Sequence, residues 1–183
     1  MRDRCPLPDI QLMFDEMQGA KFVSSFDAVD GFWQVPMATR DVEKTAFATQ
    51  MGAYEWLVMP QGLQNSPSQY QRRMQRALGH LPFVRIFIDD CVVFSKTVAE
   101  HYANVKAFLD ACREKGVYLK ASTAQIGPKE SLRFLGHTLS GDGCQPQHDK
   151  IASVKNWPAL ESVTHVRQFL GLAGYYRRFV HCF

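Results

Sequence analysis

The stretch Arg85-Ile86-Phe87-Ile88-Asp89-Asp90-Cys91-Val92-Val93-Phe94 sets two adjacent carboxylates between two apolar, β-branched runs. Such runs read as buried strands, and the residues between them as the link of a hairpin. Unpaired charge beside a core is costly, and two readings account for the pair. Asp suits turns, so Asp89-Asp90 can be a hairpin tip and nothing more. Alternatively the two carboxylates, with a third from elsewhere, hold a hard divalent cation such as Mg²⁺, which takes oxygen ligands. Asp27 ends the strand-like run Lys21–Phe26 and is the candidate third carboxylate, although a turn or capping role is the commoner fate of such a residue taken alone.

Working outward, Ser66-Pro67-Ser68-Gln69 combines an N-cap serine, a proline at the first helical position and a glutamine three residues after the cap. The helix it starts has Tyr70, Met74, Ala77 and Leu78 on one face and Arg72, Arg73 and Arg76 elsewhere, so it is amphipathic with a basic side. Val105, Phe108, Leu109 and Cys112 predict a second helix, ended by Gly116. Upstream, Ile10, Phe14 and Met17 predict a short helix ending at Gly19, and Thr45–Thr49 with Tyr54–Met59 predict a hairpin about a Gly52 turn, closed by Pro60. Downstream, Val117–Leu119 and Leu132–Leu139 read as strands, Gly141-Asp142-Gly143 as a turn, and Pro146 as a boundary. Helices follow around Ile151 and Val154 and from about Thr164, with Val166, Phe169, Leu170, Ala173 and Tyr176 on one face. Helices alternating with antiparallel hairpins predict an α+β fold rather than a parallel sheet.

Composition adds bounds. The 183 residues suit one domain with a small appendage, and the net charge of +3, from 21 Lys and Arg against 18 Asp and Glu, permits an anionic partner without demanding one. Cys5, Cys91, Cys112, Cys144 and Cys182 are scattered, with no C-x-x-C pair, which fits reduced thiols inside a cell. His137, Cys144 and His148 lack zinc spacing. No apolar run reaches membrane-spanning length, and the expected setting is intracellular, without a membrane partner.

Three carboxylates at strand ends suit two Mg²⁺ ions about 4 Å apart, one activating an attacking hydroxyl and the other steadying a leaving pyrophosphate. Five sequence boxes join this pattern: Phe26-Asp27 with Gly31-Phe32-Trp33-Gln34; Met59-Pro60-Gln61-Gly62-Leu63 with Asn65-Ser66-Pro67; Phe87-Ile88-Asp89-Asp90; Phe134-Leu135-Gly136-His137; and Phe169 to Phe179. In this order they make nearly the whole chain resemble the reverse transcriptase of long-terminal-repeat retrotransposons, Ty3/gypsy type. The family usually carries Tyr where this chain has Phe87.

The resemblance implies an RNA-directed DNA polymerase that extends a primer with deoxynucleotides. Its palm, with partial fingers and a hairpin at about 35–65, would cover 1–145, and the start of a helical thumb 146–183. It implies that Asp27, Asp89 and Asp90 bind two Mg²⁺ ions, for which Mn²⁺ can substitute, with the Ala28 carbonyl as a further ligand. Asp30 and Gly31 match the turn whose N–H groups face the triphosphate, and Phe32 the ring that excludes a ribose 2′-hydroxyl; turn former and core phenylalanine are the alternatives. Gln61 and Gly62 match a nucleotide contact, or else a plain turn. Phe87 and the Phe134, Leu135, Gly136 and His137 hairpin match primer and template contacts, to which Arg72, Arg73 and Lys120 would add phosphate binding if they are not simply a solvated face. Tyr175 and Tyr176 lie either near the duplex or in the core. Implied partners are an RNA or DNA template with primer, dNTPs, and the rest of a Pol polyprotein, including fingers, ribonuclease H and integrase, in a cytoplasmic particle. The chain is thus expected to be a fragment, and a catalytically incomplete nucleic-acid-binding remnant is the alternative.

Overall fold

The computed structural model describes residues 6–129, 131–140 and 143–183. The chain begins with helix α1 (Ile10–Glu16), whose N-cap Asp9 accepts a hydrogen bond from the Gln11 N–H. Strand β1 (Phe22–Asp27) leads into a 3₁₀ turn, Gly31–Gln34, and a short helix α2 (Thr39–Val42). The small hairpin β2 (Phe47–Thr49) and β3 (Gly52–Tyr54) precedes helix α3 (Ser66–Leu78). Strands β4 (Val84–Phe87) and β5 (Asp90–Ser95) form the aspartate hairpin, and helix α4 (Val98–Lys115) follows. Then come β6 (Gln125–Lys129), β7 (Ser131–Phe134), β8 (His137–Ser140), β9 (Gly143–Pro146), α5 (His148–Lys155) and α6 (Val163–Tyr175).

The central sheet has the order β4-β5-β1-β6, and its pairings are antiparallel. It is covered on both faces, which explains why β5 reads as an unbroken apolar run rather than an alternating one. Cys91 and Val93 face α3 and α4 in a cluster with Phe26, Tyr70, Met74, Leu78, Ile86 and Phe108. Val92 points the other way, into a cluster formed with α1 and the β7-β8-β9 sheet through Phe14, Met17, Leu132, Phe134 and Leu139. The alternation along β5 is therefore one of destination, not of polarity.

The α+β architecture expected from sequence is observed, with local corrections. Ser66 does not cap α3: the N-cap is Asn65, and the buried Ser66 hydroxyl donates instead to the Pro60 carbonyl at 3.1 Å. The hairpin turn precedes Gly52, which opens β3, and the run Tyr54–Met59 contributes only its first residue to β3 and a single bridge from Val58 to Pro36. Val117–Leu119 is not a strand but one bridge, from Leu119 to Ala28. The edge place beside β1 belongs to β6, whose Gly127 and Pro128 disguise it, and β9 likewise carries no strand signal. The Gly141-Asp142 part of the expected turn, and Cys5, lie outside the described residues. Cys91, Cys112, Cys144 and Cys182 are free thiols. Among the described residues no helix is long and apolar enough to cross a membrane.

Candidate functional site

The antiparallel register brings two of the expected carboxylates together. Asp27, last in β1, is the direct cross-strand partner of Asp90, first in β5. Burial raises the Asp90 carboxyl to about 6, and the charge of Asp27 beside it adds to the effect. Asp89 is raised as well, by burial and then by Asp27. The Asp27 carboxylate also accepts from the Thr123 hydroxyl at 3.3 Å.

Asp89 sits in the two-residue link between Phe87 and Asp90, which pair across β4 and β5. The other link residue, Ile88, has φ of 53°, a left-handed backbone that a β-branched residue rarely adopts. Gln71 of α3 holds the link in place. Its side chain is buried, its amide nitrogen donates to the Ile86 carbonyl at 3.0 Å, and its amide oxygen accepts from the Ile88 N–H at 2.6 Å. A further bond ties the link to the neighbouring strand, the Ala28 N–H donating to the Asp89 carbonyl at 3.0 Å. Sequence reading missed Gln71. The signal for it was a polar residue adjoining the apolar face of an otherwise regular amphipathic helix.

The Asp89 side chain turns toward Gly31 and Tyr70. A Cβ on Gly31 would overlap the Asp89 carboxylate, so only glycine permits this approach. Asp89 Oδ1 and the Tyr70 hydroxyl are both buried without a hydrogen-bond partner. As they stand, no three His, Cys, Asp or Glu side chains among the described residues are grouped to hold a metal ion. The chemistry of the three aspartates nevertheless suits a hard cation: Asp89 carries an orphaned carboxylate oxygen, burial and the neighbouring Asp27 charge disfavour the ionised form of Asp90, and a divalent ion would relieve both costs.

The remaining expected residues surround this end of the sheet in different ways. Asp30 is exposed with φ of 46° and opens the 3₁₀ turn that contains buried Gly31 and Phe32. Phe32 packs edge-on against Tyr70 with centroids 5.5 Å apart, partly buried against the core rather than wholly within it. Gln34 ties this turn to the segment after α4 through the Tyr118 N–H and carbonyl. Gln61 and Gly62 are exposed, and Gly62 has φ of 89°. Phe87 packs on the opposite face of the sheet, against the α1 cluster. Arg73 reaches the Gly116 carbonyl at 3.5 Å, which places it at the C-terminal end of α4. Lys120 is exposed, and its N–H donates to the Asp27 carbonyl at 2.7 Å. Phe134, Leu135, Gly136 and His137 form the β7-β8 turn, on the α1 side of the sheet, with Phe134 and His137 buried.

An antiparallel sheet backed by two helices, with aspartates meeting at one end of its central strands, is the palm arrangement of nucleotide-joining polymerases. Residues 2–139 match the family described as Reverse transcriptase (RNA-dependent DNA polymerase), and the chain belongs to that family. It is 32% identical over 180 residues to the Retrovirus-related Pol polyprotein from transposon 297 of Drosophila melanogaster, covering 97% of this chain and 17% of that protein. It is also 32% identical over 185 residues to the Pol polyprotein from transposon gypsy of the same organism, covering 99% of this chain and 18% of that one. The chain therefore spans under a fifth of these curated relatives. Its fold is that of the foamy viral protease-reverse transcriptase solved in complex with double-stranded DNA, at a TM-score of 0.89 and 20% identity over 97% of this chain and 31% of that one.

Proposed function

We propose that this chain is the catalytic palm of a retroelement polymerase that extends a primer on an RNA or DNA template. A primer 3′-hydroxyl attacks the α-phosphate of a deoxynucleotide and pyrophosphate leaves. The observation that carries this reading is the pairing of Asp27 with Asp90 beside a buried, unpartnered Asp89 oxygen. Asp27, Asp89, Asp90 and the Ala28 carbonyl would hold Mg²⁺, or Mn²⁺ in its place. Bound there, the metal supplies a lowered hydroxyl pKa and neutralises charge on the phosphates.

The chain's own residues supply position and exclusion. Asp30 and Gly31 offer main-chain N–H groups to the triphosphate. Phe32, braced by Tyr70, blocks a ribose 2′-hydroxyl. Gln61 and Gly62 approach the incoming nucleotide. Phe87, the Phe134, Leu135, Gly136 and His137 turn, Arg72, Arg73 and Lys120 contact primer and template. Residues 1–145 form the palm with partial fingers and 146–183 the start of the thumb, and the partners are a primed template, dNTPs and the remaining parts of a Pol polyprotein in a cytoplasmic particle. The Pol polyproteins of which this chain matches a small share support the assignment to a Pol polyprotein.

A second reading, a nucleic-acid-binding remnant, is favoured by the absence among the described residues of a ready three-ligand metal cluster. Primer extension with dNTPs and Mg²⁺, using Asp89→Asn as control, separates the two. Extension above that control supports the polymerase. Its absence, with duplex binding that weakens as salt rises, supports the remnant. In an active chain, Phe32→Ala is expected to relax discrimination against ribonucleotides by about tenfold or more. Unchanged discrimination removes Phe32 from the gate.

A further inference from the structure

The turn between β7 and β8 is held from outside its own hairpin. Leu135 and Gly136 have φ of 45° and 74°, the positive values that a type I′ turn needs at both central residues, and leucine enters that region reluctantly. Each of their carbonyls meets two donors. The Leu135 oxygen accepts from His137 Nδ1 and from the Tyr175 hydroxyl, both at 2.8 Å. The Gly136 oxygen accepts from the Tyr176 hydroxyl at 3.2 Å and from the Gln147 N–H at 3.3 Å. A carbonyl has two lone pairs, so protein rather than water fills the acceptor capacity of this turn.

Two of the four donors are the adjacent tyrosines at the end of α6, each 40 residues from its acceptor. Their rings both pack on the buried His137 with centroids 5.3 Å away, and Phe14 and Phe179 complete the shell at 4.8 and 5.7 Å. Gly136 belongs to the same fit, because a Cβ there would stand 2.9 Å from the Tyr176 hydroxyl. A two-residue turn closes with its own ladder bonds. The hydroxyls are not needed to form it; what they fix is its placement relative to α6.

We propose that Tyr175 and Tyr176 are positioning residues that set the Leu135-Gly136 turn against the primer strand, so that docking of α6 and shaping of the primer contact are a single event. This rests on the polymerase reading, in which that turn touches the primer. In this role the tyrosines are neither plain core nor duplex contacts; they act on the nucleic acid through the turn they hold.

The test is the Tyr175→Phe, Tyr176→Phe double variant, which keeps both rings on His137 and removes only the hydroxyls. Amide exchange of β7, β8 and the last turn of α6 is expected to quicken about thirtyfold, the effect of losing two hydrogen bonds of ordinary strength. In primer extension, KM for the primer–template is expected to rise about five- to tenfold, while KM for dNTP and kcat stay within about twofold. Tyr102→Phe, at an exposed position on α4, is expected to match the parent. Unchanged exchange in the double variant overturns the proposal, and so does faster exchange with an unchanged primer–template KM, which would make the hydroxyls structural only. A parent chain that neither binds nor extends a primer overturns the proposal together with the polymerase reading, and that failure is recognisable because it appears without any substitution.

Discussion

Asp90 holds its proton to about pH 6, roughly two units above an unfolded aspartate. Between those values the folded chain binds more protons than the unfolded one, so this group's contribution to stability is present at low pH and is lost as pH rises from about 4 through 6. Asp90→Asn is therefore expected to stabilise the metal-free chain at pH 7 by about 1 kcal/mol, once solvent screening is allowed for, while abolishing extension. Thermal melts with and without Mg²⁺ check this. Mg²⁺ should raise the Tm of the parent and leave the variant nearly unmoved, and an equal rise in both would separate the metal from these carboxylates. Gln71 supports the same site from behind. Gln71→Leu leaves the buried Ile86 carbonyl and Ile88 N–H without their partner, a loss of about 2 kcal/mol. Urea unfolding should report that loss, and extension should slow with duplex affinity unchanged; a parent-like rate would show that the strained link holds itself.

Between elements, a buried polar relay joins β1, β5, α4 and β6. Ser24 and His101 Nε2 lie 2.8 Å apart, His101 Nδ1 meets the Ser95 hydroxyl at 3.1 Å, and Asn104 donates to the same hydroxyl at 2.9 Å. Ser24 also donates to the Gly127 carbonyl and accepts from the Gly127 N–H. One neutral tautomer satisfies every member: Nε2–H donates to Ser24 and Nδ1 accepts from Ser95. Burial lowers the His101 pKa, and lowers that of His137 likewise. The unfolded chain takes up these protons near pH 6.5, so the stabilisation is full above that value and falls away as pH drops below it. Asp90 slopes the opposite way between about 4 and 6, hence the histidine slope is best measured in Asp90→Asn. There, denaturant midpoints should decline from pH 7 to pH 5, and His101→Gln should flatten the decline. A slope unaltered by that change would place the titration elsewhere.

Across the whole molecule, stability is unevenly distributed. The central sheet is buried on both faces, whereas α5 has no buried residue and α6 buries only Ala173, with Trp157 and Phe169 packed edge-on between the two helices. Limited trypsin digestion is expected to cut first near Lys155, leaving a resistant core through β8. Early cleavage within β4 or β5 would contradict that order. Much of this architecture is legible in the residues themselves. Apolar runs around Asp89-Asp90, the α3 face from Tyr70 to Leu78, and the Gly116 stop after α4 each act over a few neighbours, where periodicity and backbone preference dominate. The sequence by itself determined the α+β class, the aspartate hairpin and the order of boxes that mark the family. Only the tertiary structure decided that Asp27 pairs with Asp90, that Gln71 braces Ile88, that β6 rather than Val117–Leu119 takes the sheet edge, and that Tyr175 and Tyr176 hold a turn 40 residues away. Those outcomes depend on strand register and on which distant groups fill the last lone pairs, and neither is written in the spacing of residues along the chain.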